Sequence, residues 1–280
     1  GAKLVFAKPE GHKDALYLKN SIEEHNITTI HFVPSMLQVF LDVIDKGDCP
    51  SLVRVLCSGE ALQVDQVNLF KEKFNRVRLD NLYGPTEAAI DVSSWQVPLD
   101  ETISTVLIGS PVSNTSLYVL DANHELVPMG VTGELCIGGV QVARGYLGKE
   151  ELTKKVFIPN PFKQAERLYK TGDLSRWLPD GTIEYVGRKD NQVKIRGYRI
   201  ELGEIENVLS LVPEVKQCSV LVKELSEGNK QLVGYVVVDG DLDKESLQNQ
   251  LKESLPDYMV PRLWVALEEI PLTTNGKIDK

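Results

Sequence analysis

Strand-like apolar runs at 27–33, 52–57 and 78–83 alternate with amphipathic segments at about 13–25, 35–45 and 64–74. That alternation constrains the fold more than any other feature of the chain. A parallel strand pair needs a crossover long enough to carry the chain back to the same edge, and helices of this length supply it. Residues 1–100 therefore read as βαβ units around a parallel sheet. A further apolar run at 3–7, centred on Leu4-Val5-Phe6, reads as one more strand at the start. In open α/β sheets ligands bind beyond the carboxyl ends of the strands. Residues 31–34, Ser58-Gly59-Glu60 and 83–87 converge there, so topology alone places a site.

The pattern then changes twice. From about 103 to 186 short strands such as 116–120, 133–138 and 183–186 lie between Gly- and Pro-rich turns, which predicts a small barrel or a twisted antiparallel sheet. From Asp190 onward a helix at 201–211, strands at 216–223 and 231–238, a helix at 244–255 and a strand at 263–267 predict a compact α+β unit. The fold class is α/β: a parallel βαβ portion, a small β-barrel-like region, and an α+β C-terminal part. The expected domains are 1–188, comprising the βαβ sheet at 1–100 and the β-rich region at 101–188, and 189–280.

Charge and cysteine usage exclude some partners. The 280 residues carry a net charge of −9 with no run of Lys and Arg, which argues against nucleic acid or an anionic membrane as a partner. A polyphosphate ligand would therefore be held by local groups and a metal. Cys49, Cys57, Cys136 and Cys218 have neither metal nor redox spacing; Cys57 and Cys218 sit in apolar runs and read as buried thiols suited to a reducing cytoplasm. No apolar stretch reaches membrane length, and the N-terminus lacks the regions of a signal peptide. The chain opens inside the strand-like run at 3–7, which reads as the start of a fragment.

Several segments could carry chemistry. Asn81-Leu82-Tyr83-Gly84-Pro85-Thr86-Glu87 ends an apolar run with an aromatic face, a tight turn, a hydroxyl and a carboxylate. Those groups suit a purine, a phosphate and a divalent cation, although an isolated Gly-Pro-Thr is more simply a turn. Tyr169-Lys170-Thr171-Gly172-Asp173-Leu174 presents a carboxylate held by a Thr-Gly turn; an ionised carboxylate can accept from two ribose hydroxyls. The dense polar run from Gly187 to Arg199 reads as a linker whose charges meet a ligand, or as a solvated basic loop. Asn275-Gly276-Lys277 is a turn with a tip lysine, either a surface charge or a mobile cation for a negative transition state. His31 on its apolar strand reads first as a core histidine. No Ser/His/Asp nucleophile set and no Cys/His zinc cluster is apparent.

Taken in order, these segments resemble the late core motifs of nonribosomal peptide synthetase adenylation domains, in the ANL superfamily of adenylate-forming enzymes. The resemblance rests on Tyr83-Gly84-Pro85-Thr86-Glu87, Gly133-Glu134-Leu135, Thr171-Gly172-Asp173-Leu174, Gln192-Val193-Lys194-Ile195-Arg196-Gly197 and Asn275-Gly276-Lys277, and it spans nearly the whole chain. It implies activation of an amino acid by ATP as an aminoacyl adenylate, with Mg2+, followed by transfer to a carrier-protein phosphopantetheine thiol among other synthetase domains. By the same resemblance Tyr83 stacks on adenine, with Asn81 and the Gly59-Glu60-Ala61 backbone along its edge and Gly84 beside it. Thr86 meets the α-phosphate, Glu87 binds Mg2+, and Asp173 holds the ribose, with Tyr185 and Arg188 close by. Lys277 bridges the substrate carboxylate and adenylate oxygens. Asp190 matches the hinge of the small mobile subdomain, and Lys194, Arg196 and Gly197 the loop of the thiolation state.

The resemblance also implies a side-chain pocket of His31, Leu56, Ser58, Leu82, Ile90 and Asp91 with Lys277 at its base, a serine-activating combination. A site built around a hydroxyl rejects the deoxy analogue by up to ~10⁴–10⁵, whereas excluding one methyl is worth about 10–200-fold, so threonine is the competitor. The family's Gly- and Ser/Thr-rich phosphate loop with its lysine has no counterpart, Gly138-Gly139 being the nearest. The upstream segment whose aspartate pairs with the substrate ammonium, and the carrier domain, are absent from the sequence too. The expectation is the C-terminal part of the large subdomain plus the small one, inactive in isolation. The alternatives are an acyl- or aryl-CoA ligase, against which the loop at 192–197 argues, and a non-catalytic interaction fragment.

Overall fold

The structure is a computed structural model that describes residues 1–190, 192–224, 230–238, 240 and 242–271. Two compact units result, Gly1–Asp190 and Asn191–Lys280.

The first unit begins with α1 (Ala15–His25), β1 (Thr29–Phe32), α2 (Pro34–Val43), β2 (Arg54–Cys57), α3 (Val64–Lys73) and β3 (Arg78–Tyr83). The helix ends follow from local chemistry. The Asp14 side chain accepts from the Tyr17 N–H at the start of α1, and left-handed Asn26 closes it. Pro34 opens α2, where a missing N–H costs nothing, and Gln63 with Gln66 forms a capping box on α3.

β1, β2 and β3 are parallel, and β4 (Ser93–Gln96) and β5 (Ser110–Pro111) extend the sheet antiparallel in the order β1-β2-β3-β4-β5. Side chains alternate across a sheet, so register assigns the faces. Phe32, Val55, Cys57 and Leu79 join Leu37, Phe40, Leu41, Val67 and Phe70 of the helices in one core. Burying each of the Val, Leu and Phe side chains among these contributes about 1.5–3 kcal/mol. His31 pairs with Leu56 and Leu56 with Asp80, which puts that row, with Leu82, on the face turned away from this core. Asp80 is fully buried there between Arg54 (2.7 Å) and Arg78 (2.6 Å).

The expected strand at 3–7 does not form. Leu4 and Phe6 are 74% and 83% exposed, and with no strand among the described residues pairing with it the run has no reason to be a strand.

The β-rich region comprises β6 (Thr115–Leu120), β7 (Gly133–Gly139), α4 (Glu150–Val156), β8 (Phe157–Pro159), β9 (Arg167–Trp177) and β10 (Ile183–Arg188). Its order is β10-β9-β7-β6, with β8 on β9: an antiparallel sheet and not a closed barrel. The Thr171-Gly172-Asp173 segment is no turn. It lies inside the eleven-residue β9, where Gly172 takes φ +74° and the register against β7 shifts between Glu134 and Cys136. A bulge of this kind keeps the chain paired while re-aiming one side chain.

The second unit contains β11 (Gln192–Ile195), β12 (Tyr198–Glu201), α5 (Leu202–Leu209), β13 (Val215–Glu224), β14 (Lys230–Val238), α6 (Lys244–Ser254) and β15 (Leu263–Ala266). β13 and β15 flank β14, and Ile205, Leu209, Val220, Val236, Leu247, Leu251 and Trp264 form its core. Part of the polar run expected as a linker is a hairpin. Arg196 and Gly197 both have positive φ, 52° and 78°, as a tight two-residue turn matched to strand twist requires. Cys57 is buried as expected and its thiol is pushed up to about 12 by burial; Cys218 is only half-buried. No helix among the described residues is long and apolar enough to cross a membrane.

Candidate functional site

In the first unit the carboxyl ends of the parallel strands carry two groups of polar side chains. His31 ends up exposed, not in the core, and its Nε2 lies 2.8 Å from Ser58 Oγ. Ser58 follows β2 directly, and its N–H donates to the Phe32 carbonyl at 3.2 Å. Leu56 and Leu82 are half-buried on the same sheet face.

Asp91 reaches this group through a tight fold of the chain. Ala89 and Ile90 both have positive φ, 54° and 79°, and the Asp91 N–H donates back to the Ala89 carbonyl at 3.1 Å. A β-branched residue in that region is strained. Gly84 makes the fold possible, because a Cβ there would lie 2.1 Å from the Ile90 carbonyl oxygen. Burial raises the Asp91 carboxyl above the usual range, the neighbouring His31 opposes the shift, and Asp91 Oδ1 is buried with no hydrogen-bond partner among the described residues. Ile90, expected as a pocket wall, is 65% exposed.

The second group is built on Asp173. The Tyr83 hydroxyl donates to its Oδ2, and Arg188 Nη1 donates to Oδ1 at 2.7 Å. Asp173 and Arg188 face each other across β9 and β10, so sheet register brings them together. Arg188 Nε and Nη2 also grip the two Asp190 oxygens at 2.6 Å each. Burial works against its charge, but Asp190 and Asp173 outweigh it and hold the guanidinium above its ordinary range. Gly172 lies beneath this contact: a Cβ there would meet Arg188 Nη2 at 2.8 Å and Asp190 Oδ2 at 3.0 Å. Burial and then the Asp173 charge push the Tyr185 phenol up to about 12. Burial likewise raises the Tyr83 phenol, whose ring lies 8% exposed in a core cluster with Ala88 and Val92, so little of its face is open for stacking.

Asn81 is buried, its Nδ2 on the Leu107 carbonyl at 2.7 Å and its Oδ1 without a partner among the described residues. Gly59 takes φ +90°, the Glu60 carboxylate accepts from the Ser35 N–H at 3.1 Å at the start of α2, and Ala61 is exposed. Thr86 is exposed and Glu87 half-buried where the strand end turns into the loop that carries Asp91. Lys277 lies outside the described residues. Asp190 ends the first unit, and Lys194, Arg196 and Gly197 belong to the second unit's hairpin.

Sequence reasoning missed Tyr146, whose hydroxyl donates to Glu87 Oε1 at 2.6 Å. It also missed the role of Glu134, which accepts from the Gly172 N–H at 3.2 Å and steadies the bulge. A hydroxylated aromatic after a glycine, Gly145-Tyr146, was the available signal for the first.

The donor set fits Mg2+. Among the described residues no group of three or more His, Cys, Asp or Glu could hold a metal. Mg2+ does not need such a cage: it keeps several waters and takes one or two carboxylates plus substrate phosphates. Glu87, beside the Thr86 hydroxyl, would supply that one carboxylate and so help neutralise a polyphosphate.

Known proteins match along the whole chain. It is 47% identical to tyrocidine synthase 3 of Brevibacillus parabrevis over 280 residues, covering 100% of this chain and 4% of the relative. It is 46% identical to enterobactin synthase component F of Shigella flexneri over 297 residues, covering 100% of this chain and 23% of the relative. The chain thus spans under a quarter of these curated relatives. Its fold is similar to that of holo-PA1221, an NRPS protein containing adenylation and PCP domains bound to vinylsulfonamide inhibitor, with TM-score 0.84 and 29% identity over 95% of this chain and 46% of that one. Residues 1–147 match the family model for AMP-binding enzymes and residues 204–277 that for the AMP-binding enzyme C-terminal domain, and the chain belongs to the AMP-binding enzyme family.

Proposed function

We propose that this chain is part of an amino-acid-activating adenylation domain of a nonribosomal peptide synthetase, with L-serine as substrate. A carboxylate oxygen of serine attacks the α-phosphorus of ATP, the bond to the bridging oxygen breaks, and pyrophosphate leaves with that electron pair. A carrier-protein phosphopantetheine thiol then attacks the acyl carbon and displaces AMP. The relatives' names and the adenylation–PCP structure support a carrier protein and further synthetase domains as partners.

One observation carries the reading: the end of β3 serves both groups. Leu82 lies on the face of His31 and Leu56, Tyr83 reaches Asp173, and the loop that follows delivers Thr86, Glu87 and Asp91. A nucleotide held on Asp173 and Arg188 and a small hydroxyl amino acid beside His31, Ser58 and Asp91 would then share one strand end. Thr86 is assigned to the α-phosphate, Glu87 to Mg2+ and Lys277 to the reacting carboxylate. Asp190 is assigned as the hinge, and the hairpin with Lys194, Arg196 and Gly197 to the thiol-transfer state. Domains at 1–188 and 189–280 fit that hinge.

Exchange of labelled pyrophosphate into ATP by the full-length protein carrying this chain tests the reading. Exchange that depends on an added amino acid, needs Mg2+ and falls by about 10²-fold or more in Glu87→Gln supports it, since one such electrostatic group is worth ~10²–10³ in rate. No stimulation by any amino acid would contradict it. The isolated 280 residues are expected to be inactive, because no Gly- and Ser/Thr-rich run with a lysine occurs among them.

A further inference from the structure

Glu87 is held at two points by the segment at 143–146. The Ala143 N–H donates to the Glu87 carbonyl at 2.8 Å, and the Tyr146 hydroxyl donates to Glu87 Oε1 at 2.6 Å. The segment is itself fixed to α4, since the Tyr146 N–H donates to Thr153 Oγ1 at 2.9 Å. Gly145 takes φ +139° against Thr153, whose Cγ2 would lie 2.3 Å from a Cβ at that position, so the close approach requires glycine. The Tyr146 ring meets the Phe157 edge with centroids 5.6 Å apart, and Phe157 lies 5.1 Å from Tyr169. Phe157 and Tyr169 are buried, so the phenol is braced on core side chains.

A glutamate on a surface turn has free torsions, and binding a cation would have to freeze them. Here a phenol anchored elsewhere in the fold already fixes one carboxylate oxygen, while the backbone contact fixes the turn that carries it. From this geometry, and resting on the adenylation reading above, we infer that Tyr146 is a positioning residue: it sets the orientation in which the Glu87 carboxylate meets the divalent cation of a bound nucleoside triphosphate.

The test compares Tyr146→Phe, Thr153→Val and Glu87→Gln with wild type in the full-length protein carrying this chain. Binding of Mn2+ in the presence of ATP, followed by electron paramagnetic resonance, gives a readout independent of turnover. The Mg2+ concentration for half-maximal pyrophosphate exchange and the thermal midpoint accompany it. Removing a hydrogen-bond partner of a metal ligand typically costs 10–100-fold in metal affinity. Tyr146→Phe is therefore expected to weaken Mn2+ binding and raise the Mg2+ requirement by about that factor, with kcat at saturating Mg2+ nearly unchanged. Thr153→Val should shift both in the same direction by less, and it decides the matter if Tyr146→Phe fails to fold. Unchanged Mn2+ binding in the folded variants, with Glu87→Gln still impaired, would overturn the positioning role alone. If Glu87→Gln also binds Mn2+ as wild type does, the assignment of Glu87 as metal ligand falls and the positioning role with it.

Discussion

Arg188 and Asp173 are joined at 2.7 Å as directly opposed residues of two neighbouring strands, and Asp173 also receives the Tyr83 hydroxyl from another sheet of the same unit. Both oxygens of the carboxylate assigned to the ribose are thus engaged. Asp173→Asn would take from a part-buried guanidinium one of its two carboxylate partners among the described residues and weaken the acceptor for a buried phenol. We expect a loss of about 1–3 kcal/mol, because a buried group left without its partner bears its desolvation cost. Urea unfolding of the variant checks the magnitude. A midpoint equal to wild type would show that the cluster does not stabilise the fold.

Two glycines should respond differently to alanine. At Gly172 a Cβ meets the far ends of Arg188 and Asp190, whereas at Gly84 it meets the backbone of Ile90 at 2.1 Å. Side chains can shift and backbone cannot without opening the turn that carries Asp91. Gly172→Ala bears in addition a left-handed φ, worth about 1–3 kcal/mol of strain, and should weaken nucleotide binding. Gly84→Ala is expected to be the more destabilising of the two in thermal melts and to weaken discrimination among amino acids. Equal or reversed losses would contradict the steric account.

The parallel sheet was legible in the sequence because its strands and helices each follow their own hydrophobic period. The strand at Arg78–Tyr83 appears with its expected bounds. Pairing could not be read in the same way. Residues 3–7 look like a strand but pair with no strand among the described residues, while Gly172-Asp173 looks like a turn but is kept in β9 by β7 and β10 on either side. A candidate site could be named from the sequence where one segment carries several groups, as at 81–87. Tyr146 escaped because its partner lies 59 residues away, and only folding brings the two together.

Asp80 offers a test of the sheet face that bears His31, Leu56 and Leu82. Its buried carboxylate serves Arg54 and Arg78, which are each roughly half exposed. Asp80→Asn leaves both guanidiniums without their counter-charge. The loss should be about 1–3 kcal/mol, below that of a fully buried pair because solvent reaches both arginines. Chemical denaturation measures it, and a neutral substitution would contradict the role assigned to the pair.

Asp91 gives a pH signature. Burial raises its carboxyl in the folded chain, so the folded state binds this proton more tightly than the unfolded one. The stability it contributes is present below the unfolded value, about 3.9, and is lost as pH rises through the folded value. Asp91→Asn removes that loss. The stability difference between variant and wild type should therefore move in the variant's favour from about pH 3 to pH 7. A difference independent of pH would contradict the burial of this carboxyl.

The most direct test of the account is the ratio of exchange rates, as kcat/KM, for L-serine, L-threonine and L-alanine in the full-length protein carrying this chain. His31 on β1, Ser58 after β2 and Asp91 in the loop after β3 should together favour serine over alanine by several orders of magnitude, up to ~10⁴–10⁵, and over threonine by only about 10–200-fold. Alanine equal to serine, or a preference for leucine or phenylalanine, would contradict it.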